Sequence, residues 1–192
     1  MLQAIYLLHS LFWVLLAIGW FTRPRQTAAA RPAQTSVQIP RAGLYVAMHG
    51  VGFTLMYLGL GDAIFRPGGA PFISRTLQIA GAIVILLGGC LGGWSIRVFH
   101  SWKFGASIEK GHMLCTSGPF AWIRNPIYAA IDMLSLGSFM WTPTMITLIA
   151  LLATGAAGDL RGRIEEKSLS RAFGQEYEAY RLRVKRLIPG VY

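Results

Sequence analysis

Charge is what this chain has least of. Only 14% of its 192 residues are Asp, Glu, Lys or Arg, against about 25% in an ordinary soluble protein. That shortage argues against a soluble domain. Acidic residues are the scarcer sign, with 8 against 18 Lys and Arg. Cysteine is scarce too. Cys90 lies in an apolar run and Cys115 well beyond it. Two thiols so placed form neither a disulfide framework nor a zinc pattern; Cys90 reads as a packing residue and Cys115 as a reduced, inert thiol. His, Cys, Asp and Glu nowhere gather at metal-ligand spacing, so no metal is expected. The formal net charge is +10, yet no groove-reading motif accompanies it, and nucleic acid is not the expected partner. The basic residues sit between apolar runs and in the tail, as in cytoplasmic loops that touch anionic lipid.

What the chain has instead is apolar length. It is 54% hydrophobic, and its mean hydropathy is +0.47. A single domain over residues 1–192 is the expectation for this length. Residues 2–21, 44–65 and 77–98 each match a membrane span. The first could be a signal peptide, but no basic residue precedes it and it exceeds the usual apolar core of about 7–15 residues. His9 within it reads as a packed or interfacial histidine. Gly50, Gly52, Gly59 and Gly61, then Gly88, Gly89, Gly92 and Gly93, suit close helix contact. Residues 127–158 are too long for one span and break at Trp141-Thr142-Pro143-Thr144, so they read as a helical hairpin. Its lone charge, Asp132, reads either as a functional group or as a buried hydrogen bond to Ser or Thr. From Asp159 the chain is charged and helical in pattern, with Gly174 as an interruption. The expected fold is all-α: a multi-span transmembrane protein with about five spans and a C-terminal helical tail.

Lys and Arg alternate along the inter-span segments. Arg23, Arg25, Arg31 and Arg41 crowd the first loop, and Arg97, Lys103, Lys110 and Arg124 the third. The second loop has only Arg66 and Arg75, the hairpin tip has none, and the tail is rich. This bias predicts an N-terminus outside and a C-terminus in the cytoplasm, in what would be a bacterial inner membrane.

One stretch reads neither as a span nor as a plain basic tail. It is Gly111-His112-Met113-Leu114-Cys115-Thr116-Ser117-Gly118-Pro119-Phe120-Ala121-Trp122-Ile123-Arg124-Asn125-Pro126-Ile127-Tyr128. Pro126 can open a helix at its first turn, where a missing N–H costs nothing. Arg124 and Asn125 then precede a helix N-terminus, a natural anion site. The plain alternatives are an interfacial His112 and a snorkelling Arg124. The pattern G-H-x-L-x-x-S-G-P-[FY]-x-x-x-R-[HN]-P-x-Y resembles the integral-membrane methyltransferases that include isoprenylcysteine carboxyl methyltransferase and the phospholipid N-methyltransferases. A second segment, Arg161-Gly162-Arg163-Ile164-Glu165-Glu166 followed by Phe173-Gly174-Gln175-Glu176-Tyr177-Glu178-Ala179-Tyr180, looks like that family's second signature. The two cover roughly residues 94–192, and residues 1–90 match only as hydrophobic spans.

The resemblance implies S-adenosylmethionine as methyl donor and a lipophilic acceptor: a prenylcysteine-like carboxylate, a phospholipid amine or another small lipophile. It implies donor contacts from His112, Leu114, Gly118, Arg124, Asn125, Pro126, Tyr128 and Glu165. Counting back from Phe173-Gly174 places the acceptor-holding roles on Arg161 and Glu166, with Glu165 and Arg163 as the near alternatives. Residues five apart on a helix differ by about 140°, so Arg161 and Glu166 could border one cavity. Residues 99–192 would be the catalytic half. Most members have His where Asn125 stands, and Asn cannot titrate. Phe120 stands where Tyr is frequent. The acceptor would enter from the bilayer, and no obligate protein partner is evident. Two rival readings remain: a sterol- or steroid-type reductase using NADPH, and a non-catalytic membrane protein whose tail is a solvated charged helix.

Overall fold

The structure, a computed structural model, describes residues 4–23, 37–38, 42–65, 74–99, 107–108 and 113–192. Six α-helices dominate it: α1 (Ala4–Phe21), α2 (Ala42–Phe65), α3 (Arg75–Val98), α4 (Pro126–Trp141), α5 (Met145–Phe173) and α6 (Gln175–Arg183). A 3₁₀ turn, Gly118–Ala121, precedes α4. Two short strands, β1 (Val37–Gln38) and β2 (Ser107–Ile108), pair antiparallel.

Helices α1, α2, α3 and α5 are long and apolar enough to cross a membrane. Large apolar side chains such as Leu7, Val14, Val51, Leu58, Leu87 and Leu152 point outward. Away from its ends a helix bonds its backbone groups within its own segment, so such a surface suits lipid. The chain is an integral membrane protein. The expected count of five full spans changes in one respect. Helix α4 has 16 residues, about 24 Å at 1.5 Å per residue, short of the ~30 Å hydrocarbon layer. It is the short arm of the expected hairpin.

The hairpin tip has a local cause. Pro143 cannot donate to a helix, so α4 stops at Trp141. Thr144 then starts α5: its hydroxyl accepts from the Thr147 N–H at 3.2 Å, and the Thr147 hydroxyl accepts from the Thr144 N–H at 3.0 Å. This is a reciprocal capping box. Helix α5 then runs for 29 residues from an apolar start into the charged segment without a break. It ends where Gly174 takes φ +53°, a conformation that favours glycine.

Helix α3 packs on α1 and α4, while α5 packs on α2 and α4. The core draws on all five long elements, with Phe12, Met56, Ile85, Leu134 and Ala150 among its members. His9 is buried and lies 2.7 Å from the Ser138 hydroxyl, a polar link between α1 and α4. The crossing of α1 and α3 depends on glycine. A Cβ on Gly93 would lie 2.5 Å from the Leu15 carbonyl oxygen. Gly93→Ala should therefore separate the two helices and cost about 1–3 kcal/mol, the scale of overpacking. A thermal melt in detergent at the wild-type midpoint would contradict this. On α2 the expectation holds in part. Gly52 and Gly59 face Thr154 and Thr147 of α5, but Gly50 faces open space.

At one end of the bundle the described residues of the α1–α2 and α3–α4 segments meet. Val98 at the end of α3 touches the position of Gly118, and the Cys115 thiol lies 3.7 Å from the Val98 carbonyl. The β1–β2 pair lies beside α5. It joins the α1–α2 loop to the α3–α4 segment.

Candidate active site

The two signature segments form one structure at that end. The tail after α6 runs alongside the residues before α4. The Arg124 N–H donates to the Lys185 carbonyl at 2.8 Å, and the Asn125 N–H to the Arg186 carbonyl at 3.0 Å. The Tyr180 hydroxyl donates to the Phe120 carbonyl at 2.7 Å. Tyr177, Tyr180 and Val184 form a small apolar cluster that Leu114, Leu169 and Phe173 complete. The Phe-Gly-x-Glu-Tyr-x-x-Tyr pattern thus turns α6 back over the first segment. Burial pushes the Cys115 thiol up, which fits an unreactive cysteine.

Behind this strap lies an ionic knot around Glu166, which is 5% exposed. Its Oε1 accepts from Arg124 Nε at 3.0 Å, Asn125 Nδ2 at 2.9 Å and Arg186 Nε at 3.0 Å. Its Oε2 accepts from Arg124 Nη2 at 3.2 Å and Arg186 Nη2 at 3.0 Å. Two arginine forks and an amide therefore fill the carboxylate. Arg124 Nη1 donates to the carbonyls of Arg181 and Val184. Arg186 also reaches Asp159 and the Tyr192 hydroxyl. The hydrogen bonds to Glu166 lift the Arg186 guanidinium further above its ordinary value. Asn125 is the N-cap of α4, yet its side chain makes no cap and serves Glu166 instead.

One helical step away, α5 turns a second network inward. The Tyr128 hydroxyl donates to Glu165 Oε1 at 2.6 Å. Arg161 Nε donates to the same oxygen at 3.0 Å. The Arg161 guanidinium carbon lies 5.5 Å from the centre of the Tyr128 ring. Both Nη groups of Arg161, and Oε2 of Glu165, have no hydrogen-bond partner among the described residues. Adjacent positions 165 and 166 thus do different things. Glu166 is saturated by protein, and among the described residues Glu165 keeps an open oxygen beside an open guanidinium.

The residues expected from the sequence divide accordingly. Tyr128, Arg161 and Glu165 come together. Arg124, Asn125 and Glu166 come together elsewhere, in the knot. Pro126 is the first residue of α4. Gly118 has φ +57° and opens the 3₁₀ turn. Leu114 packs on the tail cluster, and His112 lies outside the described residues. Arg163, the alternative to Arg161, pairs with Asp159 on the exposed side. Sequence reasoning missed Arg186, Asp159 and Tyr192, which close the knot. It also missed His49 of α2, whose ring centre lies 6.1 Å from that of Tyr128. A lone histidine in an apolar span was the available signal.

Comparison with known proteins fits this pairing of segments. Residues 76–176 match the phospholipid methyltransferase family. The chain belongs to that family. The match includes α3, the 3₁₀ turn, α4 and α5, and therefore both carboxylates, but it stops before Arg186. Over 118 residues the chain is 32% identical to protein-S-isoprenylcysteine O-methyltransferase of Rattus norvegicus, covering 59% of this chain and 41% of the relative. Over 82 residues it is 35% identical to the protein of the same name from Schizosaccharomyces pombe, covering 42% of this chain and 35% of the relative. The chain thus spans less than half the length of either relative.

Proposed function

We propose that this family member transfers a methyl group from S-adenosylmethionine to a lipophilic acceptor that enters from the bilayer. The observation that carries the reading is the Tyr128–Glu165–Arg161 network, where both signature segments meet with polar atoms to spare. The donor's amino-acid end carries an ammonium and a carboxylate. Glu165 Oε2 suits the ammonium, and the basic surroundings suit the carboxylate, with His112 the intended partner. The donor supplies an activated methyl on a sulfonium. The protein's part is to align the reacting atoms and exclude water. Glu165 grips the donor and holds Arg161 by its Nε, leaving the Nη groups to orient the acceptor's polar head. Glu166, Arg124 and Asn125 serve as the structural anchor of this site and not as its contacts.

The test is a radiolabelled methyl-transfer assay against total membrane lipid, with mass spectrometry of the product. Titration of the purified protein with S-adenosylmethionine and with NADPH separates this reading from a reductase. Binding of NADPH alone would defeat it.

The orientation belongs to the same reading. On this reading the basic inter-span segments face the cytoplasm, and the site and the C-terminus lie on that side of a bacterial inner membrane. A C-terminal reporter that works only outside the cytoplasm should stay silent. An active one would reverse the orientation.

A further inference from the structure

Beside the network, toward the bilayer interior, α2, α4 and α5 come together around Gly158. Gly158 of α5 stands one turn before Arg161, about 4.5 Å along the helix. A Cβ there would lie 3.6 Å from Asp132 Oδ1, 3.6 Å from Tyr128 Cβ and 3.8 Å from His49 Nε2. Three helices thus face one spot that glycine leaves open, a small recess with room for about one methyl group. Asp132 Oδ1 and His49 Nε2 are both buried, and neither has a hydrogen-bond partner among the described residues. His49 is 7% exposed. Its Nδ1 lies 3.0 Å from the Tyr45 carbonyl oxygen. A carbonyl only accepts, so Nδ1 carries the proton and Nε2 presents a lone pair. No Ser or Thr hydroxyl among the described residues reaches Asp132 Oδ1. Two lone-pair atoms left unmet in a span are costly, and unpaired polar groups at such depth mark functional positions.

We propose that the recess formed by His49, Asp132 and Gly158 receives the reacting head of the acceptor, and that this head bears a hydrogen: an amine, a thiol or a hydroxyl. A carboxylate would bring its own lone pairs against two acceptors and is disfavoured, although the relatives it resembles are named for isoprenylcysteine O-methylation. The binding half of this inference stands alone, and the chemical half rests on the methyl-transfer reading. In the chemical step the head's heteroatom gives a lone pair to the methyl carbon. The carbon–sulfur bond breaks with its electron pair on sulfur, leaving a neutral thioether. The proton of the head passes to His49 Nε2, and the Asp132 carboxylate balances the imidazolium so formed.

Gly158→Ala tests the recess cleanly. The added methyl meets its neighbours at ordinary van der Waals distance, so the fold tolerates it while the vacancy is filled. Full-length protein in detergent, wild type, Gly158→Ala and His49→Gln, would be titrated with dodecylamine, dodecanethiol, 4-dodecylphenol and dodecanoate. At least one hydrogen-bearing probe should lose tenfold or more in affinity in Gly158→Ala, and again in His49→Gln. Dodecanoate should show only the micelle background, unchanged across variants. Equal affinity of every probe for wild type and Gly158→Ala would overturn the inference, as would dodecanoate being the probe that loses. If His49→Gln fails to fold, Gly158→Ala decides alone. S-adenosylmethionine titrated into wild type and Gly158→Ala separates the two readings: donor affinity should be equal in both. A wild type that binds no donor defeats the methyl-transfer reading, while the probes still judge the recess.

Discussion

Glu166→Ala should destabilise the protein by about 3–5 kcal/mol, the scale for removing one partner of a buried ion pair. Its side chain is 6% exposed, Arg124 is 9% and Arg186 is 17%. Removal of the carboxylate strands two guanidinium groups and the Asn125 amide together, with like charges left facing each other. Arg124 keeps its bonds to the Arg181 and Val184 carbonyls, so the strap does not detach outright. It loses the group that ties α5 to both sides of it. The loss should appear as a lower melting midpoint in detergent and as early proteolysis within residues 174–192. Arg186→Ala alone should also destabilise. Adding it to Glu166→Ala should cost less than the sum, because each change already removes their shared contact. Glu166→Ala with a wild-type melt and a large loss of turnover would return Glu166 to the acceptor site.

The spans were legible because hydropathy needs only local information. Residues 2–21, 44–65 and 77–98 reappear as α1, α2 and α3 within a few residues. The hairpin tip was legible because Pro143 interrupts any helix. The length of α4 was not read from the apolar run, although Pro126 and Pro143 bound it at 16 residues. The register of the carboxylates was the harder matter. Glu165 and Glu166 sit about 100° apart on one helix, and each face finds partners. What separates them is Arg186, in a tail where Arg181, Arg183, Lys185 and Arg186 look alike. Only the pairing of Lys185 and Arg186 with Arg124 and Asn125 singles out one of them. His49 was illegible for a similar reason. Its open nitrogen matters only because Asp132 and Gly158, far along the chain, face the same point.

Arg161→Ala should lower kcat by about 10²-fold or more while donor affinity stays within a few-fold. Arg161 and Glu165 form an i,i+4 pair on a continuous helix. Neither is needed to hold the tail, so the fold should survive each change. Loss of the guanidinium removes the group beside the Tyr128 ring that would align the acceptor, and alignment acts on turnover. Glu165→Ala should behave differently. It removes the carboxylate that holds Arg161 in place, and also the open oxygen assigned to the donor's ammonium. Donor affinity and kcat should then fall together. Glu165→Gln, which can still accept from Tyr128 and Arg161, should recover part of the alignment but little of the donor affinity, because the charge is gone. The measurement is donor titration beside initial-rate kinetics on melt-checked variants. Normal turnover in Arg161→Ala would remove the network from the site. A fall in donor affinity as large in Arg161→Ala as in Glu165→Ala would move Arg161 from the acceptor to the donor.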